Sequence, residues 1–226
     1  MRAGLFGGTF NPIHNGHLAL ADAVLNRFAL DHLYFIPCRV PPHKSPPYLA
    51  PATDRAGMIR QALPKDPRYR LSEVELQRTG PSYTIDTVHH FKSEILPGAG
   101  LHLLMGLDAF MEMHTWKQFS HLLNLVSPIV VARRWTLSSK DKDEGGHGED
   151  RFLDHYIRSR LCSDYAWDRS RHRWLTPGGA CIHWLPVPLV DVSSSLVRRC
   201  IGNRTDIDGL VPAAVSAYIE QKDLYR

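Results

Sequence analysis

The strongest constraint on the fold lies in the first 28 residues. A short apolar run at 3–6 leads into Gly7-Gly8-Thr9-Phe10-Asn11-Pro12-Ile13-His14-Asn15-Gly16-His17. Beyond it, Ala21, Val24, Leu25 and Phe28 recur at i, i+3, i+4, i+7 spacing, which puts them on one helix face. The segment reads as strand, glycine turn, helix. A strand delivers such a turn to the carboxyl edge of a sheet. The helix then aims unpaired N–H groups and its positive dipole end at that edge, which suits a phosphate. Gly7 and Gly8 carry no Cβ, so backbone there can approach a ligand closely. His14 and His17 stand three apart at the helix mouth and share a face.

The alternation continues along the chain. Residues 33–37 read as an aromatic-rich strand that runs into a proline-studded loop, 38–51. A helix capped by Thr53 or Asp54 follows, with Ala56, Ile59 and Leu63 inward. Alternating residues 70–76 predict a strand. Ser82 is placed as N-cap of a helix carrying Ile85, Val88, Lys92 and Ile95. Residues 101–105 form a buried-type strand ending in Gly106-Leu107-Asp108. A short helix is expected around Trp116, Phe119, Leu122 and Leu123, then a strand over 128–132 ending in Arg133-Arg134. Residues 136–150 are polar, charged and glycine-broken, and read as a mobile surface loop. A helix is expected over 151–163, and 167–179 carries no assignment. A strand follows at 182–185, a helix opened by the serine cluster at 193–195, and a last helix from Pro212. This pattern predicts an α/β fold: a Rossmann-like, doubly wound parallel sheet with helices on both faces. We expect one α/β domain over 1–184, with 185–226 as a small helical C-terminal part packed on it.

Composition narrows the setting. With 226 residues, 43% of them hydrophobic, the chain can bury one substantial core. It has no apolar stretch long enough to span a membrane and no signal-peptide core, so a cytoplasmic protein without a membrane partner is expected. Cys38, Cys162, Cys181 and Cys200 form no CxxC pair and read as free thiols. A net charge of +4 suits an anionic small ligand and is too weak to argue for nucleic acid.

In open α/β sheets, ligands bind beyond the carboxyl ends of the strands. The residues collected there are Gly7, Gly8, Thr9, His14 and His17; His43 and Lys44; Gly106 and Asp108; Arg133 and Arg134; and Ser193, Ser194 and Arg198. Cations and hydrogen-bond donors dominate, with one carboxylate, which fits a polyphosphate and a ribose. There is no GxxxxGK[ST] loop, no GxGxxG, and no covalent nucleophile beside a base. What remains is catalysis by positioning and charge stabilisation, as phosphoryl-type transfer needs.

The segment 7–17 resembles the GGTFDPxHxGH signature of the HxGH nucleotidyltransferase superfamily. Val192-Ser193-Ser194-Ser195-Leu196-Val197-Arg198 resembles its second signature, ISSTxIR. Pro41-Pro42-His43-Lys44, Pro81-Ser82-Tyr83-Thr84, Gly106-Leu107-Asp108 and Thr115-Trp116 are similar to motifs of bacterial nicotinate-nucleotide adenylyltransferase. The resemblance covers nearly the whole chain. It implies transfer of the adenylyl group of ATP to nicotinate mononucleotide, with Mg²⁺ bound to the ATP phosphates and none held by protein ligands alone. By position, it assigns the ATP phosphates to His14 and His17, and the nucleotide to Gly7, Gly8, Thr9 and Phe10. Lys44 would bridge the phosphates of both substrates. Ser193, Ser194 and Arg198 would hold the leaving phosphates, and Arg133 would close over them. Asp108, after Gly106, would bind ribose or orient the mononucleotide. Thr84 and Trp116 would build the pyridine pocket, and backbone N–H groups near Trp116-Lys117 would receive the nicotinate carboxylate. On this reading His14, His17, Lys44 and Arg198 carry catalysis.

The chain departs from the pattern in places. Asn11 stands for the usual Asp, Ser195 for Thr, Val192 for Ile, and Lys117 where an aromatic is common. Within the superfamily, the alternative acceptors are nicotinamide mononucleotide and pantetheine phosphate. The Arg/Trp-rich segment 167–174 raises RNA binding as a remote alternative. Self-association is left open by the sequence.

Overall fold

A computed structural model describes residues 1–40, 48–133, 148–187 and 192–226, without the side chains of 132, 133, 148–151 and 187. Lys44 and most of the expected 136–150 loop lie outside the described residues. The chain divides into two compact units, residues 1–100 with 190–226, and residues 101–189.

The first unit opens with β1 (Arg2–Gly8), α1 (Asn15–Arg27), β2 (His32–Pro37), α2 (Ala52–Ala62) and β3 (Tyr69–Leu71). α3 (Val74–Gln77) and α4 (Thr84–His90) follow, and α4 runs on into a π-helical turn, Phe91–Ile95. Parallel pairing gives the order β3-β2-β1, with Leu5 opposite Tyr34 and Leu33 opposite Tyr69. Ala3, Leu5, Leu33 and Phe35 are buried, as strands covered on both faces require. Two expectations shift. The strand predicted over 70–76 ends at Leu71, because residues 74–77 turn helical. α2 starts at Ala52 after Pro51, so Asp54 lies in the first turn instead of capping it. There its Oδ1 accepts a 3.0 Å hydrogen bond from Tyr218 Oη.

The second unit contains β4 (Gly100–Gly106, beginning at the boundary), α5 (Leu107–Met111), α6 (Phe119–Leu125) and β5 (Ser127–Arg133). α7 (Gly148–Tyr156), β6 (Ala166–Asp168), β7 (Arg173–Leu175) and β8 (Cys181–Val187) complete it. β4, β5 and β8 pair in parallel, and β8, β7 and β6 form an antiparallel ribbon. That ribbon occupies the stretch left unassigned by sequence. Its strands are only three residues long, too short for a legible alternation. Trp167 packs against Trp174 at 4.2 Å across it. Arg173, inside the basic cluster, pairs with Asp168 at 3.3 Å.

The chain ends with α8 (Ser194–Gly202) and α9 (Ala213–Gln221), both in the first unit. A Cβ on Gly57 of α2 would lie 2.5 Å from Tyr218 Oη on α9. Glycine there lets the two helices close. The C-terminal part is thus continuous with the first hundred residues.

Candidate active site

Gly7 and Gly8 remain inside β1, and the turn proper begins at Thr9. The two glycines serve different ends. A Cβ on Gly8 would meet the Phe10 ring at 3.0 Å, whereas one on Gly7 would meet nothing within 4 Å among the described residues. Gly8 therefore accommodates Phe10, which sits at φ 47° and packs edge-on against Phe6 and His17. Gly7 opens onto free space.

His14 is the N-cap of α1 and His17 its third residue. The His14 backbone N–H donates to His17 Nδ1 at 3.2 Å. The two rings stack with centroids 3.6 Å apart. A ring nitrogen that accepts cannot carry the proton, so neutral His17 holds its hydrogen on Nε2. Gly16 permits the stack, since a Cβ there would lie 3.1 Å from the His14 ring.

The downstream segment meets this loop directly. Ser194 Oγ donates to the Pro12 carbonyl at 2.8 Å, and Arg198 Nη1 donates to the Asn11 carbonyl at 2.6 Å. The Val192 carbonyl lies 3.5 Å from a Cβ built on Gly16. Ser193 caps α8 by accepting from Leu196 N–H at 3.1 Å, as its sequence position predicts. Its hydroxyl keeps its own hydrogen as a donor. Two helix N-termini, those of α1 and α8, thereby converge on one loop. Each contributes the partial positive charge of its dipole, although at α1 the Asn15 N–H already bonds the Leu210 carbonyl at 2.9 Å and the His17 N–H the His14 carbonyl at 2.9 Å.

The loop also rests on residues that motif reading passes over. Asn11, 2% exposed, accepts at Oδ1 from Ala50 N–H (3.0 Å) and Tyr225 Oη (2.8 Å), and donates from Nδ2 to the Tyr48 carbonyl (3.1 Å). Arg55, 0% exposed, donates to the carbonyls of Thr9, Ala50 and Arg39. One signal was available. Arg55 shares the helix stripe of Ile59 and Ala62, a charge where the period demands an apolar residue.

Thr84 is the first residue of α4. Ser82 does not cap that helix. Its Oγ accepts from Arg39 N–H at 3.1 Å, and Arg39 Nη1 donates to the Arg78 carbonyl at 2.8 Å. These bonds tie the turn before Thr84 to the end of β2. Behind it, the Thr87 hydroxyl donates to the buried Glu75 carboxylate at 2.7 Å and receives Arg78. Burial pushes the Glu75 pKa up, and the hydrogen bonds and Arg78 only partly offset it.

In the second unit, β4 delivers Gly106 and the exposed Asp108 to the start of α5. A Cβ on Gly106 would lie 2.6 Å from Asp108 Oδ1, so the carboxylate folds back over the glycine. Trp116 closes a 3₁₀ turn, and its N–H already bonds the Met113 carbonyl at 3.0 Å. That N–H is therefore engaged in the fold. Lys117 is exposed. Tyr156 steadies the segment: its hydroxyl donates to the Phe110 carbonyl at 2.9 Å and meets His114 Nδ1 at 3.1 Å. Arg133 ends β5 in register with Val187, its side chain outside the description.

Comparison with known proteins agrees with this architecture. The Cytidylyltransferase-like family model matches residues 5–200, and the chain belongs to that family. A protein of Desulfatibacillum aliphaticivorans named probable nicotinate-nucleotide adenylyltransferase is 35% identical over 231 residues, covering 100% of both chains. One of the same name from Pelobacter propionicus is 36% identical, covering 100% of this chain and 98% of its own. Within the wider class, the chain therefore belongs with the nicotinate-nucleotide adenylyltransferases. In fold it matches the Plasmodium falciparum nicotinic acid mononucleotide adenylyltransferase complexed with NaAD. That TM-score is 0.67 at 17% identity, covering 99% of this chain and 97% of the other.

Proposed function

We propose that the chain transfers the adenylyl group of ATP to nicotinate mononucleotide, releasing pyrophosphate and nicotinate adenine dinucleotide. The observation that carries this reading is the joining of loop 9–17 to residues 193–198 through Ser194–Pro12 and Arg198–Asn11. Full-length relatives of that name support the choice of acceptor.

In the reaction, a phosphate oxygen of the mononucleotide attacks the ATP α-phosphorus. The bond to the β-phosphate bridging oxygen breaks opposite it. The attacking oxygen is already anionic, so no base is required, and the protein's task is alignment and charge stabilisation. His17 Nε2–H donates to the α-phosphate, and His14 holds the ring in register. The Ser193 hydroxyl, Arg198 and the α8 N-terminus, with the backbone N–H of Ser194, receive the departing pyrophosphate, while the Ser194 hydroxyl stays on the Pro12 carbonyl. Lys44 and Arg133 add charge from outside the described geometry. In the first unit, Gly7 leaves room for the nucleotide and Thr84 serves the mononucleotide; in the second, Asp108 serves the ribose and Trp116 offers a face to the pyridine ring.

Magnesium enters as part of the ATP substrate. Among the described residues no cluster of three or more His, Cys, Asp or Glu could cage an ion. The donor set fits an ion carried by the triphosphate oxygens. The reading keeps the chain in the cytoplasm, and no helix among the described residues is long and apolar enough to cross a membrane.

The test is pyrophosphate release from ATP offered nicotinate mononucleotide, nicotinamide mononucleotide or pantetheine phosphate. We expect the first to be preferred. Release only with the last, or with none, rejects the reading.

A further inference from the structure

We propose that Arg55 is a positioning residue of the ATP site, and that a neutral Asn11 leaves Arg55 and Arg198 as two positive charges beneath the phosphate loop for the polyphosphate to compensate. The inference rests on the adenylyl-transfer reading above.

Three observations carry it. First, the Arg55 guanidinium is wholly buried, yet its donors go to main-chain carbonyls: Thr9 at 2.7 Å, Ala50 at 3.1 Å and Arg39 at 3.2 Å. Among the described residues neither Arg55 nor Arg198 forms an ion pair. A buried cation without a counter-charge is costly unless something anionic arrives. Second, the groups around it are neutral or engaged elsewhere. Cys38 Sγ, 4.0 Å from Nη1, is a thiol whose pKa burial pushes up. Asp54 Oδ1 accepts from Tyr218. Glu75 is bonded to Thr87. Third, Asn11 lies between the two arginines in the bonding pattern. Its carbonyl accepts from Arg198. Its side chain bonds Ala50 N–H, while the Ala50 carbonyl accepts from Arg55. A carboxylate at position 11 would offset one of the two charges and turn an oxygen toward the Tyr48 carbonyl that Nδ2 now bonds.

The geometry also gives Arg55 a mechanical part. Pulling the Thr9 carbonyl inward keeps that acceptor away from incoming phosphate oxygens, which it would repel. Holding Thr9, Arg39 and Ala50 together fixes the end of β2 and the entry to α2 against the loop.

The experiment measures the Kd of ATP and of inorganic pyrophosphate by calorimetry, with the KM of nicotinate mononucleotide, kcat and Tm. It compares wild type with Arg55→Met, Arg55→Lys and Asn11→Asp. Arg55→Met is expected to weaken ATP and pyrophosphate about tenfold while the mononucleotide KM stays within about twofold. Arg55→Lys restores charge without the three-way hold, and should recover ATP affinity to within about threefold while kcat stays low. If Arg55→Met does not fold, Asn11→Asp decides. It should weaken ATP about fivefold or more and flatten the salt dependence of binding. Arg55→Met or Asn11→Asp leaving the ATP Kd within twofold, or Arg55→Met weakening both substrates alike, overturns the inference. Wild type that releases no pyrophosphate from ATP and nicotinate mononucleotide rejects the functional reading instead.

Discussion

The backbone N–H of His14 donates to Nδ1 of His17, and the two imidazoles lie stacked above it. One histidine thereby sets the tautomer of the other. His17 can present only Nε2–H in its neutral form, a fixed donor at the mouth of α1. Selective ¹⁵N labelling should show Nε2 protonated and Nδ1 bare at neutral pH. His17→Ala should lower kcat by roughly 10²-fold or more at unchanged far-ultraviolet circular dichroism, the usual loss for a charge-stabilising donor. A loss below threefold would make the pair architectural.

Gly106 and Asp108 should separate binding from folding. In Gly106→Ala the new Cβ meets only the flexible end of the Asp108 side chain. That carboxylate can swing away, so Tm should move by no more than about 2 °C, as for a change well below 1 kcal/mol. Substrate KM should rise about tenfold, because the carboxylate no longer folds over the strand end. A stability loss with normal KM would contradict the ribose role.

The Glu75–Thr87 pair should show the asymmetry of buried hydrogen bonds. Thr87→Val removes one hydrogen bond from the buried Glu75 carboxyl, which keeps Ser82 and Arg78 beside it, and should cost about 1 kcal/mol by urea denaturation. Glu75→Gln should cost less, since burial already disfavours the charge. The Glu75 folded pKa is raised, so the native state holds its proton more tightly than the unfolded chain does. Its contribution is present below the ordinary glutamate pKa and is lost as pH rises through the folded value. Glu75→Gln should therefore gain relative to wild type as pH rises. A gain on acidification instead would be wrong in sign.

His183 supplies the opposite case. Burial, with His102 and Arg173 nearby, lowers its pKa from 6.5 to about 4. Below pH 6.5 the unfolded chain takes up a proton that the native chain refuses, so stability falls as pH drops from 6.5 toward 4. With partial exposure discounted, His183 should remove about 1–2 kcal/mol between pH 8 and pH 5. His183→Gln should flatten that slope, and an unchanged slope would refute the assignment.

The fold was legible where side-chain periods were long. β1, α1, β2 and β4 are seen near their expected limits, because the three strands are unbroken apolar runs and α1 keeps helical spacing over two turns. β6 and β7, three residues each, carry too little pattern. The turn at 74–77 hides within what reads as a strand. In the site, the residues that face a ligand were legible as motifs. Those that hold the motifs were not. Asn11 looked like a departure from a pattern, yet its amide makes three bonds that no local rule announces, one of them to Tyr225. Such contacts join residues far apart in sequence, and only folding reveals them.

The Ser194–Pro12 and Tyr225–Asn11 bonds span 182 and 214 positions of the chain. A ribosome builds the loop first and its clasp last. The glycine turn and both histidines leave the exit tunnel long before α8 exists to meet them. Nascent chains that have not yet reached α8 should carry the histidine loop without its clasp, and chains released at that stage should have no working grip on ATP. Asn11 waits longest for its partners, because its bond to Tyr225 spans almost the whole of the sequence.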